Sequence, residues 1–117
     1  MYEIKEVILK NGPHARKRLV IEFDDPAMQI VGEFLMADAS FFGGAILQEI
    51  DHVLKGEKKS AESSGNRCNA LIKQDKTVIE DLFEEMDGAD AYPAYEIETE
   101  KLRELIEMWL GRLENVE

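Results

Sequence analysis

The residues able to do chemistry are few and scattered. The two histidines are His14 and His52. His52 directly follows Asp51, and sequence neighbours do not share a helix face, so the pair does not build a His–carboxylate dyad. Both histidines read as solvated surface groups. One cysteine, Cys68, and two distant histidines do not supply a zinc tetrahedron. Cys68 opens the apolar segment 68–72 and reads as a small buried hydrophobe. Asp87-Gly88-Ala89-Asp90, with Glu84 and Glu85, offers oxygens to a hard cation, but the spacing matches no calcium loop. Ser63-Ser64-Gly65-Asn66 lacks the flanking glycines of a nucleophile elbow. The glycines form neither a P-loop nor a dinucleotide fingerprint. The sequence therefore predicts no catalytic residue, no metal and no cofactor, and no enzyme.

The elements that would position these residues are more legible. Segment 2–9 reads as a first strand, and Asn11-Gly12-Pro13 as a turn. Segment 19–23, ending in Asp24-Asp25-Pro26, reads as a second strand antiparallel to the first. Between them lies His14-Ala15-Arg16-Lys17-Arg18, the chain's one basic cluster. A third strand is predicted over 30–36, with Gly32 marking a bulge. A helix is predicted from Asp38 or Ser40, either serving as N-cap, through Phe42, Ile46, Ile50, Val53 and Leu54 to a stop at Gly56. Gly43 and Gly44 in its first turns point to close approach of another part of the chain, or to a partner on a surface without side chains.

The stretch 56–66 reads as a flexible loop. Segments 67–73 and 77–83 suit a hairpin around Gln74-Asp75-Lys76. Segment 84–91 is an acidic loop, and 92–98 a last strand. Thr99 is predicted to cap a final helix whose apolar stripe is Leu102, Leu105, Ile106, Trp109, Leu110 and Leu113. The order is β-β-β-α-β-β-β-α. It predicts one α+β domain over 1–117, a mainly antiparallel sheet of five to six strands with two helices on one face.

Charge narrows the partners. The chain has 117 residues, 25 acidic against 14 Lys plus Arg, and a net charge of −11. A field of that sign repels nucleic acid and anionic lipid and attracts cationic surfaces. The charged N-terminal segment does not read as a signal peptide, and no apolar run approaches the ~20 residues of a membrane span. A cytoplasmic location is the expectation, with no disulfide from a single cysteine.

Ser64-Gly65-Asn66, the strand 68–72, the segment Asp75-Lys76-Thr77-Val78-Ile79-Glu80-Asp81-Leu82-Phe83, and a short strand leading into Thr99-Glu100-Lys101-Leu102 and onward to Trp109-Leu110 together form a pattern. Over 64–113 it resembles the small acidic immunity proteins of bacterial polymorphic-toxin and contact-dependent growth inhibition systems. The resemblance implies neutralisation of a cognate toxin domain, often a nuclease, by occlusion of a basic cleft. Loop carboxylates on a rigid scaffold are the expected contacts: Glu84, Glu85, Asp87 and Asp90, with Tyr92 and Tyr95 as aromatic anchors and Asp24 and Asp25 as a second cluster. The competing readings are a non-catalytic binding or regulatory module, monomeric or weakly homodimeric through sheet edges or the Phe41–Phe42 region, and a small enzyme or ligand carrier hinted at only by Gly43-Gly44 and Cys68.

Overall fold

A two-residue turn starts the fold. Gly12 takes φ +63° ahead of Pro13, the pattern of a type II′ turn, and closes a hairpin of β1 (Tyr2–Asn11) and β2 (His14–Phe23) paired from Asn11–His14 to Tyr2–Phe23. The basic cluster therefore lies in a strand rather than in the turn. The computed structural model describes residues 1–82 and 92–115. After the hairpin come a 3₁₀ turn (Pro26–Met28), α1 (Gln29–Phe34), one π-helical turn (Leu35–Ala39) and α2 (Ser40–Leu54). Then follow β3 (Ser60–Ser64), β4 (Cys68–Lys73), β5 (Lys76–Asp81), β6 (Tyr95–Glu98) and α3 (Thr99–Glu114). The class is α+β, with six strands split between the hairpin and an antiparallel sheet ordered β3-β4-β5-β6.

The strand expected over 30–36 is helix. Asp25 Oδ1 accepts the Ala27 N–H at 2.9 Å, and Pro26 fills the first helical position. Ile30, Val31, Phe34 and Leu35 are all buried, so this segment is apolar on several sides and shows no clean period. Gly32 marks no bulge. A Cβ there would lie 3.4 Å from the Ile21 carbonyl oxygen, so the glycine lets the β2 backbone approach the helix. The unbroken helical run Pro26–Leu54 also has the length and composition of a bilayer span, with mean hydropathy 1.5, against the expectation of no such run. Half of that window is buried inside the fold.

One face of the four-stranded sheet carries the core. Cys68, Ala70 and Ile72 alternate inward on β4, Thr77, Ile79 and Asp81 on β5, and Ile97 on β6. Against them pack Phe34, Ile46, Ile50 and Val53 from the long helix and Leu102, Ile106 and Trp109 from α3. Each such side chain contributes roughly 1.5–3 kcal/mol by leaving water. The α3 stripe matches its predicted positions. Gly43 receives Leu110, whose Cδ1 would sit 2.8 Å from an added Cβ, whereas Gly44 faces open space.

Two polar links fix how helix and sheet meet. Asp38 is neither exposed nor an N-cap. It lies in the π turn at 1% exposure and accepts three backbone N–H groups from a turn of the sheet. Its Oδ1 takes those of Asn66 at 2.5 Å and Arg67 at 3.0 Å, and its Oδ2 that of Cys68 at 2.8 Å. An added Cβ at Gly65 would lie 2.5 Å from the Asp38 carboxyl carbon, so only glycine admits this docking. Thr99 likewise starts α3 without capping it. Its hydroxyl donates to the Lys73 carbonyl at 2.5 Å and accepts from Thr77 Oγ1 at 2.9 Å. Segment 56–66, expected as a loop, contains β3 as an edge strand, and Gly56 ends α2 at φ +81°.

Asp38→Ala leaves the buried N–H of Cys68 and the part-buried N–H groups of Asn66 and Arg67 without this acceptor. It is expected to lower unfolding free energy by at least about 3 kcal/mol, read as a lower urea midpoint at unchanged slope. Gly65→Ala should show a loss of the same sign, whereas Gly44→Ala should raise stability by up to about 1 kcal/mol.

Candidate partner-binding surfaces

The groups singled out for chemistry are tied to structural tasks. Cys68 is 1% exposed. Burial first, and the nearby Asp38 charge second, push its thiol far above the ordinary cysteine range, so it is not a nucleophile. His52 Nδ1 lies 2.5 Å from Glu57 Oε1, just past the end of α2. Asp51 instead reaches across to α3, where Arg103 Nε donates at 2.6 Å and holds the carboxyl below its ordinary range. Arg103 also pairs with Glu107. Among the described residues no group of His, Cys, Asp and Glu is arranged to hold a metal ion.

The predicted contact residues do not form one patch. Glu84, Glu85, Asp87 and Asp90 lie outside the described residues. Asp25 caps the helical run, and the Asp24 N–H donates to the Met1 carbonyl at 3.0 Å; both side chains are exposed. Tyr92 is half-buried, with its ring 5.6 Å from the Arg67 guanidinium. Its N–H donates to Asp81 Oδ2 at 3.0 Å. Asp81 also receives Arg67 through Nε and Nη2, both at 3.0 Å, and this raises the guanidinium pKa further. Tyr95 pairs with Ile79 on the inward side of β6. It shares a groove of about 440 Å³ with Met1, Phe23, Met28 and Leu105, which brings it to the end of the hairpin that carries Asp24.

Two surfaces stand out that these residues do not define. The first is the outer face of the four-stranded sheet, which no helix among the described residues covers. Strand register lines up Glu62, Leu71, Val78 and Glu96 in one row across all four strands. Leu71 and Val78 are half-buried, and the glutamates at either end are exposed. Glu80 lies in the row on one side, beyond Asn69, and Lys73, Lys76 and Glu98 lie in the row on the other. This is an apolar centre with a charged rim in which four glutamates outnumber two lysines. Period-2 alternation in β4 could have revealed Leu71 on the polar side. Glu62 was hidden because Ser60–Ser64 has no apolar alternation.

The second surface is a groove of about 630 Å³ between the hairpin tip and the helices. Leu9, Arg16 and Arg18 line it from the ribbon, and Met36, Phe41 and Trp109 from the other side. The π turn shapes its floor: Ser40 Oγ donates to the Leu35 carbonyl at 3.0 Å and accepts the Trp109 indole N–H at 2.9 Å. The signal for this site was the basic cluster itself, which the sequence reading left without a role.

No protein-family model and no solved structure matches the chain. A comparison with curated proteins finds an immunity protein of Bacillus cereus, 37% identical over 82 residues, which cover 70% of this chain and 68% of that relative. An identity of that level over two thirds of both sequences is homology rather than chance, and the chain belongs to the family of that immunity protein.

Proposed function

We propose that this chain is an immunity protein that binds a cognate toxin domain and neutralises it by covering its working surface. Membership in the immunity-protein family carries this reading. Charge supports the finer part, that the toxin presents a basic surface as nucleases do to their phosphates, and that the chain covers it with carboxylates. Residues 7–20 hold Lys10, Arg16, Lys17 and Arg18 and no carboxylate, so the rest of the chain carries a net −15 within the total of −11. Complementary potentials of this kind speed encounter, which matters against a toxin that acts catalytically.

The open sheet face suits such docking. Leu71 and Val78 supply an apolar centre, Glu62 and Glu96 close its ends, and the strand scaffold holds all four in register. A rigid face loses little conformational entropy on binding. The acidic segment with Glu84, Glu85, Asp87 and Asp90 follows β5 in sequence and adds to the chain's negative charge. The toxin belongs, on this reading, to a polymorphic-toxin or contact-dependent inhibition system, and the chain acts in the cytoplasm of the protected cell.

Growth is the direct test. The C-terminal segment of the protein encoded upstream is expected to arrest a culture when expressed alone and to be harmless with this chain. Arrest that this chain does not relieve would refute neutralisation of that toxin. Given rescue, Glu62→Lys with Glu96→Lys should weaken the complex at least about tenfold, and raising salt from 0.05 to 0.5 M should slow association by about tenfold or more. Association rates indifferent to both would count against the acidic face.

A further inference from the structure

The groove beside the hairpin has the wrong charge for a basic toxin. Arg16, Lys17 and Arg18 line it, and no carboxylate does among the described residues. In a chain with 25 acidic residues these cations are nonetheless unpaired. Among the described residues neither they nor Lys10 take part in an ion pair, whereas Lys5, Lys58, Arg67 and Arg103 all do. Lys55, Lys59, Lys73, Lys76, Lys101 and Arg112 are likewise in no ion pair among the described residues, but only on the ribbon do four cations fall within nine residues with no carboxylate between them.

The same place is apolar. Phe41 is 72% exposed, Ile8 58% and Leu9 47%, the largest solvent-facing hydrophobic side chains after the N-terminal Met1. By alternation Val7 and Leu9 lie on one face of the ribbon and Ile8 on the other. Beyond Leu19 the ribbon contributes no residue to the core, since all of His14–Arg18 are exposed. Five residue pairs, roughly 17 Å of two-stranded sheet, therefore extend with apolar groups on both faces and with both strand edges unpaired among the described residues. A lone two-stranded ribbon is marginal in water. Aromatic, Met and Arg side chains around a concave surface are the composition of a protein interface core.

We propose that this hairpin groove is a self-association surface, occupied by the acidic surface of a second copy of this chain. The occupant must be anionic, which disfavours the proposed basic toxin, and the chain itself is the anion always present at matching concentration. A twofold axis satisfies both grooves at once, each ribbon crossing to its partner's acidic surface, so every contact is made twice. The mutual repulsion of two −11 bodies is long-range and is screened within about 8 Å at physiological salt, whereas the groove contacts are closer than that.

Sedimentation equilibrium of the full chain at 0.15 M NaCl tests this. Wild type should approach twice the 13.3 kDa chain mass with rising concentration. Arg16→Glu with Arg18→Glu, and separately Phe41→Ser, should each raise the dimer dissociation constant at least about tenfold. All three positions are exposed, so an unchanged circular dichroism melt separates loss of association from loss of folding. A wild-type chain that stays monomeric to about 0.5 mM overturns the proposal, as does a dimer indifferent to both variants. The charge-reversed monomer should still relieve toxin arrest. Association is read from sedimentation alone, so a failure of this proposal leaves the immunity function standing.

Discussion

A single carboxylate inside a helix holds this fold in register. Asp38 gives up solvation and receives in exchange three N–H groups from successive residues of one turn. The exchange works only because the π turn brings Asp38 to the sheet side and because Gly65 leaves room for it. Desolvating an anion costs several kcal/mol, and charge-assisted bonds from oriented backbone dipoles offset that cost where neutral partners would not. The turn so fixed is the start of β4, on which β3 and β5 are registered, and β6 is registered in turn on β5.

From that point the chain propagates order through short polar links rather than through burial alone. Arg67, next to the clamped turn, reaches Asp81 at the far end of β5, and Asp81 in turn holds the Tyr92 N–H where the chain returns toward β6. Thr77 and Thr99 tie the other end of the same strand to the start of α3. Among the described residues no buried side-chain polar atom lacks a partner, as a uniquely packed interior requires. All of these links lie on the helix side of the sheet. The opposite face carries only the exposed links from Ser64 to Asn69 and from Asn69 to Glu62 among the described residues, and it is the face where Leu71 and Val78 sit between glutamates.

How much was legible in the sequence follows from which forces are local. The final helix, the β4–β5 hairpin and the Gly12 turn were readable because their period, length and turn chemistry are written within a dozen residues. Segment 30–36 was read as a strand because burial on several sides erases amphipathic periodicity, although Asp25-Pro26 ahead of it is a helix-start signal. Asp38 and Thr99 were read as caps because cap-forming residues at helix starts usually serve the helix. Their actual partners lie 22 to 30 residues away in sequence, which no local pattern encodes. The charge of the chain pointed to a cationic partner as a whole-molecule average. It could not show that Arg16, Lys17 and Arg18 line one groove that has no carboxylate among the described residues.

That gathering gives the molecule an electric moment. Four cations concentrated on one ribbon, against an excess of carboxylates elsewhere, separate the centres of positive and negative charge in a body 50 Å long and 24 Å thick. A uniform −11 would be drawn toward a cationic surface in any orientation. A polar body experiences torque as well as force, so it turns its ribbon away from a positive partner before contact. Orientation, usually the slow part of finding a specific patch, is then partly complete on arrival.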